Sequence, residues 1–216
     1  MSPKKIALLL SRELPLIYRN AHCELQHTNP LELLIATILS AQCTDVRVNK
    51  VTPALFHRCP SLIDYASISQ EELETIIHST GFYRSKASSI RRLAVNLIEK
   101  HNGEVPHSME ELSALPGVGR KTANVVLSNA FGINDGVVVD THVARLSQRL
   151  GLTREHHPIK IEQALMKLFA RKDWGDLSHW LIWHGRRCCR SRNPNCTDCE
   201  LRTFCPSADH PDRYLH

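Results

Sequence analysis

The tail "CCRSRNPNCTDCELRTFC", Cys188 to Cys205, constrains this chain more than any other stretch. Five of the eight cysteines fall in it, spaced Cys-x6-Cys-x2-Cys-x5-Cys from Cys189 through Cys196 and Cys199 to Cys205, with Cys188 left over beside the first. Nothing at the start reads as an export signal. "MSPKKIALLLSRELPLIYRN" begins basic and turns apolar, but Ser11, Arg12 and Glu13 interrupt the run too early. A chain that is not exported does not normally build disulfides, so a thiolate cluster of this kind reads as a metal site. The two-residue gap lets Cys196 and Cys199 grip one centre from a single tight turn, with Asn193, Pro194 and Asp198 supplying the bends. Zinc and an iron–sulfur cluster both accept four thiolates, and spacing does not choose between them. Cys23, Cys43 and Cys59 sit among apolar neighbours and read as small core hydrophobes.

The rest of the chain reads as helix after helix. "NPLELLIATILSAQ" is apolar on nearly every side and predicts a central buried helix. Ser69 with Glu72, and Ser108 with Glu111, have the spacing of the capping box. Further helices are expected over 85–101, 120–130, 141–150, 159–170 and 175–187. Only "GVVVD" has strand character, and it is too short to build a sheet. The expectation is an all-α protein with a metal-stapled C-terminal loop. Pro53 should mark a kink or a new helix start. A chain of 216 residues with 42% hydrophobic residues can bury a sizeable core in one large domain or two small lobes. No stretch approaches the ~18 uninterrupted apolar residues of a membrane helix, so a soluble, cytoplasmic protein is expected.

"LPGVGRKTANVVLSNAF", Leu115 to Phe131, holds the sharpest local signal. A short capped helix precedes it and a longer one follows, which makes a helix-hairpin-helix. Gly117 and Gly119 let main-chain N–H groups approach an oxyanion without an intervening side chain. Arg120 and Lys121 are cations at a helix start, where the dipole favours anions, and they imply a missing anion. A nucleic-acid phosphate supplies it, a contact that sets register without reading sequence; a net charge of +5 agrees. Lys121 is either one more phosphate contact or a nucleophile. A lysine must be uncharged to attack, and burial, the helix N-terminus and Arg120 each favour the neutral amine. Asp140, in "GVVVDTHVARLSQRL", reads as an N-cap, and the same rigid placement suits a catalytic carboxylate.

Together, "LPGVGRKTANVVL", "VDTH", "HWLIWHGRRCC" and the cysteine tail resemble the endonuclease III family, bifunctional DNA glycosylases and apurinic/apyrimidinic lyases of base-excision repair. "LSAQCTDVRVNK", "TGFYRSKA" and "HNGEVP" extend the likeness over essentially the whole chain. The resemblance implies a two-lobed helix-hairpin-helix DNA glycosylase fold. A six-helix lobe would span about Cys23 to Ile133, and both chain ends, 1–22 and 134–216, would form a lobe around a structural 4Fe–4S cluster. It makes Lys121 the nucleophile, Asp140 the essential aspartate, and Cys189, Cys196, Cys199 and Cys205 the cluster ligands. Gln42 would fill the gap left by an extruded nucleotide and Phe82 would be the opposite wedge, where the family usually has a smaller aliphatic. Cys43 and Pro53 also depart from the pattern.

The implied partner is double-stranded DNA containing a damaged base or abasic site, bound by a monomer at the nucleoid. The expected substrates are oxidised or saturated pyrimidines. Arg190 and Arg192, in the loop between the first two ligands, are expected to contact phosphates beside the lesion, with Arg186 and Arg187 packing or pairing within the protein. Three other readings remain at this point: a monofunctional glycosylase on the same fold, such as the adenine-specific mismatch enzymes, which lack the lysine; a non-catalytic module using the hairpin only for phosphates; and a redox sensor built around the cluster.

Overall fold

A computed structural model describes residues 1–208 and 210. Among these the chain forms eleven α-helices and two 3-10 turns, His78–Thr80 and Arg171–Asp173, and no strand. The helices are α1 (Pro3–Ile17), α2 (Pro30–Leu39), α3 (Asp45–Arg58), α4 (Leu62–Ser67), α5 (Gln70–Ile77), α6 (Tyr83–Lys100), α7 (Met109–Ala114), α8 (Arg120–Phe131), α9 (Thr141–Arg149), α10 (Pro158–Leu168) and α11 (Trp174–Arg187). The chain divides into two compact units, Cys23–Ile133 and Met1–His22 with Asn134–His216. Residues 209 and 211–216, which the expected second lobe includes, lie outside the described residues. Among the described residues no helix is long and apolar enough to cross a membrane.

Cys23–Ile133 is built around α2, whose side chains from Leu33 to Leu39 are all buried, as a helix apolar on every side requires. It holds α2 to α8, seven helices rather than the six expected. The short α4 and α7 are separate elements because Ser61 and Ser108 each cap a fresh start. The expected capping boxes form differently. Ser69 accepts from the Glu72 N–H at 3.1 Å, but the Glu72 carboxylate turns away to Arg58. Ser108 accepts from the Glu111 N–H at 3.2 Å and donates its hydroxyl to that carboxylate at 2.6 Å. The reciprocal box sits at Ser61 and Asp64, where the shorter Asp side chain accepts from the Ser61 N–H at 2.9 Å. Pro53 starts no new helix: α3 runs through it. Cys59 is buried, and Cys23 and Cys43 pack partly buried against the same core.

The other unit centres on α11. Ile6, Ala7, Leu10 and Leu14 form one stripe of α1 and share a core with Leu146, Leu165, Leu181 and Leu201. α9 and α11 approach closely enough that a Cβ on Gly185 would stand 2.9 Å from the His142 ring, so only glycine fits there. "GVVVD" forms no strand. Val137 and Val138 are buried, and the Val138 N–H donates to the Ser178 hydroxyl at 2.9 Å instead of to a sheet neighbour.

Candidate functional site

The hairpin is built from its apolar anchors outward. Leu115 and Val118 are buried, and the Val118 N–H donates to the Leu115 carbonyl at 3.1 Å, closing the turn between α7 and α8. Gly117 between them has φ +78°, and a Cβ there would meet the Ser89 Cβ of α6 at 2.8 Å, so both backbone and space require glycine. Gly119 is the N-cap of α8, and no side chain caps that helix. The turn therefore presents glycine main chain and the positive end of a helix dipole, with Arg120 and Lys121 exposed beside it. Lys121 is exposed, so the burial expected around its amine is absent.

Gln42 and Phe82 also lie in Cys23–Ile133, both exposed on left-handed backbone, at φ 52° and φ 48°. Phe82 is 63% exposed, which rules out core packing as the reason for a phenylalanine there. Asp140 belongs to the other unit. It caps α9, its Oδ1 accepting from the Val143 N–H at 2.8 Å, and it is half-buried. Next to it, burial holds the His142 imidazole below the ordinary histidine range, against the opposing pull of Asp140.

All five C-terminal cysteines line one small cavity of about 20 Å³, together with Arg149, His184 and Leu201. A ring nitrogen of His184 and the sulfurs of Cys188 and Cys199 lie within 4.8 Å of one another. Burial and the neighbouring sulfurs push the Cys188 thiol up to about 12 and the Cys205 thiol up to about 11. Thiolates held this close repel one another unless a polycation binds them, so the donor set suits a metal cluster.

Three supporting groups are invisible to motif reading. Arg149 of α9, 1% exposed, donates to the Arg190 carbonyl at 2.7 Å, the Ser191 carbonyl at 3.0 Å and the Cys189 sulfur at 3.5 Å. Arg145, one turn earlier, donates to the Gly185 carbonyl at 3.1 Å and the Cys189 carbonyl at 2.9 Å. Tyr18 hydrogen-bonds His184 Nδ1 at 2.7 Å, and His184 Nε2 stands 3.8 Å from the Cys199 sulfur. Burial keeps the phenol protonated and lowers the imidazole to about 4, so the hydroxyl donates to Nδ1 and the Nε2–H faces the sulfur. Arg187 stacks 3.6 Å over the Trp183 ring, while Arg190 and Arg192 are exposed.

Residues 35–171 match the HhH-GPD superfamily of base excision DNA repair proteins. The chain is 54% identical to endonuclease III of Synechocystis over 94% of its own length and 91% of the relative's. The chain belongs to the endonuclease III family. The endonuclease III of Escherichia coli is 42% identical over 88% of this chain and 89% of that relative. A solved structure described as a trapped endonuclease III–DNA covalent intermediate superposes with a TM-score of 0.91 at 46% identity, covering 96% of this chain and 97% of that one. The all-helical architecture is thus the endonuclease III fold, and the cysteine-rich region near the C-terminus is compatible with a metal loop in such an enzyme.

Proposed function

We propose that Lys121 is the nucleophile with which this endonuclease III family member, a DNA glycosylase and apurinic/apyrimidinic lyase of base-excision repair, acts on damaged pyrimidines in DNA. The observation that carries the assignment is the exposed lysine one residue inside a helix that opens on glycine main chain. The hairpin N–H groups and Arg120 hold a phosphate, and that contact fixes the sugar relative to the amine. The Lys121 Nζ forms a bond to C1′ of the extruded nucleotide as the glycosidic bond breaks and its electron pair leaves with the base. The sugar ring opens to a Schiff base, which acidifies the C2′ proton; loss of that proton expels the 3′ phosphate by β-elimination. Asp140 stabilises the positive charge that develops on the sugar and takes the proton that Lys121 must lose. The 46% identical relative trapped covalently on DNA supports a covalent route.

Gln42 and Phe82 enter the stack from which the nucleotide leaves, since chemistry on a base requires its extrusion. Cys189, Cys196, Cys199 and Cys205 hold a 4Fe–4S cluster, which supplies a covalent staple rather than a reaction step. Arg190 and Arg192, in the loop between the first two ligands, meet phosphates. A protein whose substrate is damaged chromosomal DNA would act at the nucleoid.

Borohydride trapping on an abasic duplex tests the nucleophile. Lys121→Gln is expected to abolish the covalent adduct while duplex binding persists. An adduct formed undiminished by the variant would refute the assignment.

A further inference from the structure

Among the described residues four that are not glycine have left-handed backbone: Gln42, Phe82, Asn102 and Asn193. The two asparagines tolerate that region through their short polar side chains. Gln42 and Phe82 gain no such relief, so each is held in place at a cost that its surroundings must offset.

One amine serves both. Lys86, in the first turn of α6, is 5% exposed, and its Nζ donates to the Leu39 carbonyl at 2.8 Å and to the Thr80 carbonyl at 2.8 Å. Leu39 is the last residue of α2, and Thr80 the last of the 3-10 turn His78–Thr80. A single ammonium therefore satisfies carbonyls at two helix ends, where the dipoles favour a cation. The chain leaves the first end through Ser40 and Ala41 to Gln42, and the second through Gly81 to Phe82. Burial pushes the Lys86 amine below the ordinary lysine value, so these two carbonyls hold a charge that desolvation disfavours.

We infer that Lys86 is a positioning residue that ties the Gln42 loop to the Phe82 loop, so that the two side chains meet the duplex as one preset pair. The inference rests on the reading of these side chains as the ones that enter the stack. Without the tie each loop relaxes toward unstrained backbone, and restoring both on DNA draws on binding energy otherwise available to open the stack.

Lys86→Met keeps the apolar stem and removes the donors. Trapping rates are measured on an abasic site in duplex DNA, where the nucleotide must leave the stack, and on the same site in single-stranded DNA, where no duplex has to be opened. The variant is expected to lower the duplex-to-single-strand ratio about tenfold and to leave the single-strand rate within about twofold of the parent. Lys86→Gln, which retains two amide donors, recovers part of the ratio and supplies the comparison if the Met variant does not fold. Equal loss on both substrates, or an unchanged ratio in folded protein, overturns the inference. Failure of the nucleophile assignment is a separate result: trapping on both substrates would then survive Lys121→Gln.

Discussion

The proposed mechanism gives Asp140 a second role beside its N-cap, and a substitution separates the two. Its Oδ1 caps α9 through the Val143 N–H, a bond that an asparagine side chain also accepts, whereas only the carboxylate answers a positive charge on the sugar. Asp140→Asn is expected to cost less than about 1 kcal/mol of stability and to lower turnover about a hundredfold or more. Thermal unfolding and single-turnover base excision measure the two; a large loss of stability with a small loss of rate would leave Asp140 a cap alone. The N-cap was legible in the sequence because capping is local, set by a side chain and an amide three positions on. Lys86 was not legible. Its partner Leu39 is 47 positions away, and a lysine on a helix reads as solvated until the fold brings a carbonyl to it.

At the scale of elements, the helix starts were the most readable boundaries: α8 begins at Arg120 and α9 at Thr141, where glycine and aspartate announce them. The cysteine spacing likewise pointed to a metal loop, and side chains outside that spacing also hold the loop. Arg149 reaches from α9 to two loop carbonyls and one cysteine sulfur, and nothing in "THVARLSQRL" distinguishes it from a surface arginine. Truncating it removes the donor shared by the Arg190 and Ser191 carbonyls. Arg149→Ala is expected to cost about 3 kcal/mol and to hasten loss of the broad absorption near ~400 nm expected of a thiolate-bound iron–sulfur cluster, with Cys189→Ser as the reference for complete loss. Absorption as durable as the parent's, in a variant of unchanged stability, would show the loop ordered by its thiols alone.

For the whole molecule, charge placement matters more than its sum of +5. Arg190 and Arg192 are exposed while the backbone beneath them is fixed by Arg149, so ordering them on a phosphate requires little further loss of chain entropy. Arg190→Ala combined with Arg192→Ala is expected to reduce the slope of log affinity against log salt by about 0.9 per lost contact and to weaken lesion and undamaged duplex alike. Titrations at several salt concentrations measure it, and an unchanged slope with cluster absorption intact would remove the loop from the DNA interface. The division of the chain has a consequence for synthesis. α1 leaves the ribosome well before Leu146, Leu165 and Leu181, which share its core and follow only after all of Cys23–Ile133 has been made. At ordinary elongation rates that interval is about ten seconds. Throughout it the stripe of Ile6, Ala7, Leu10 and Leu14 lacks those partners, so the new helix carries an uncovered apolar face until the later segment arrives.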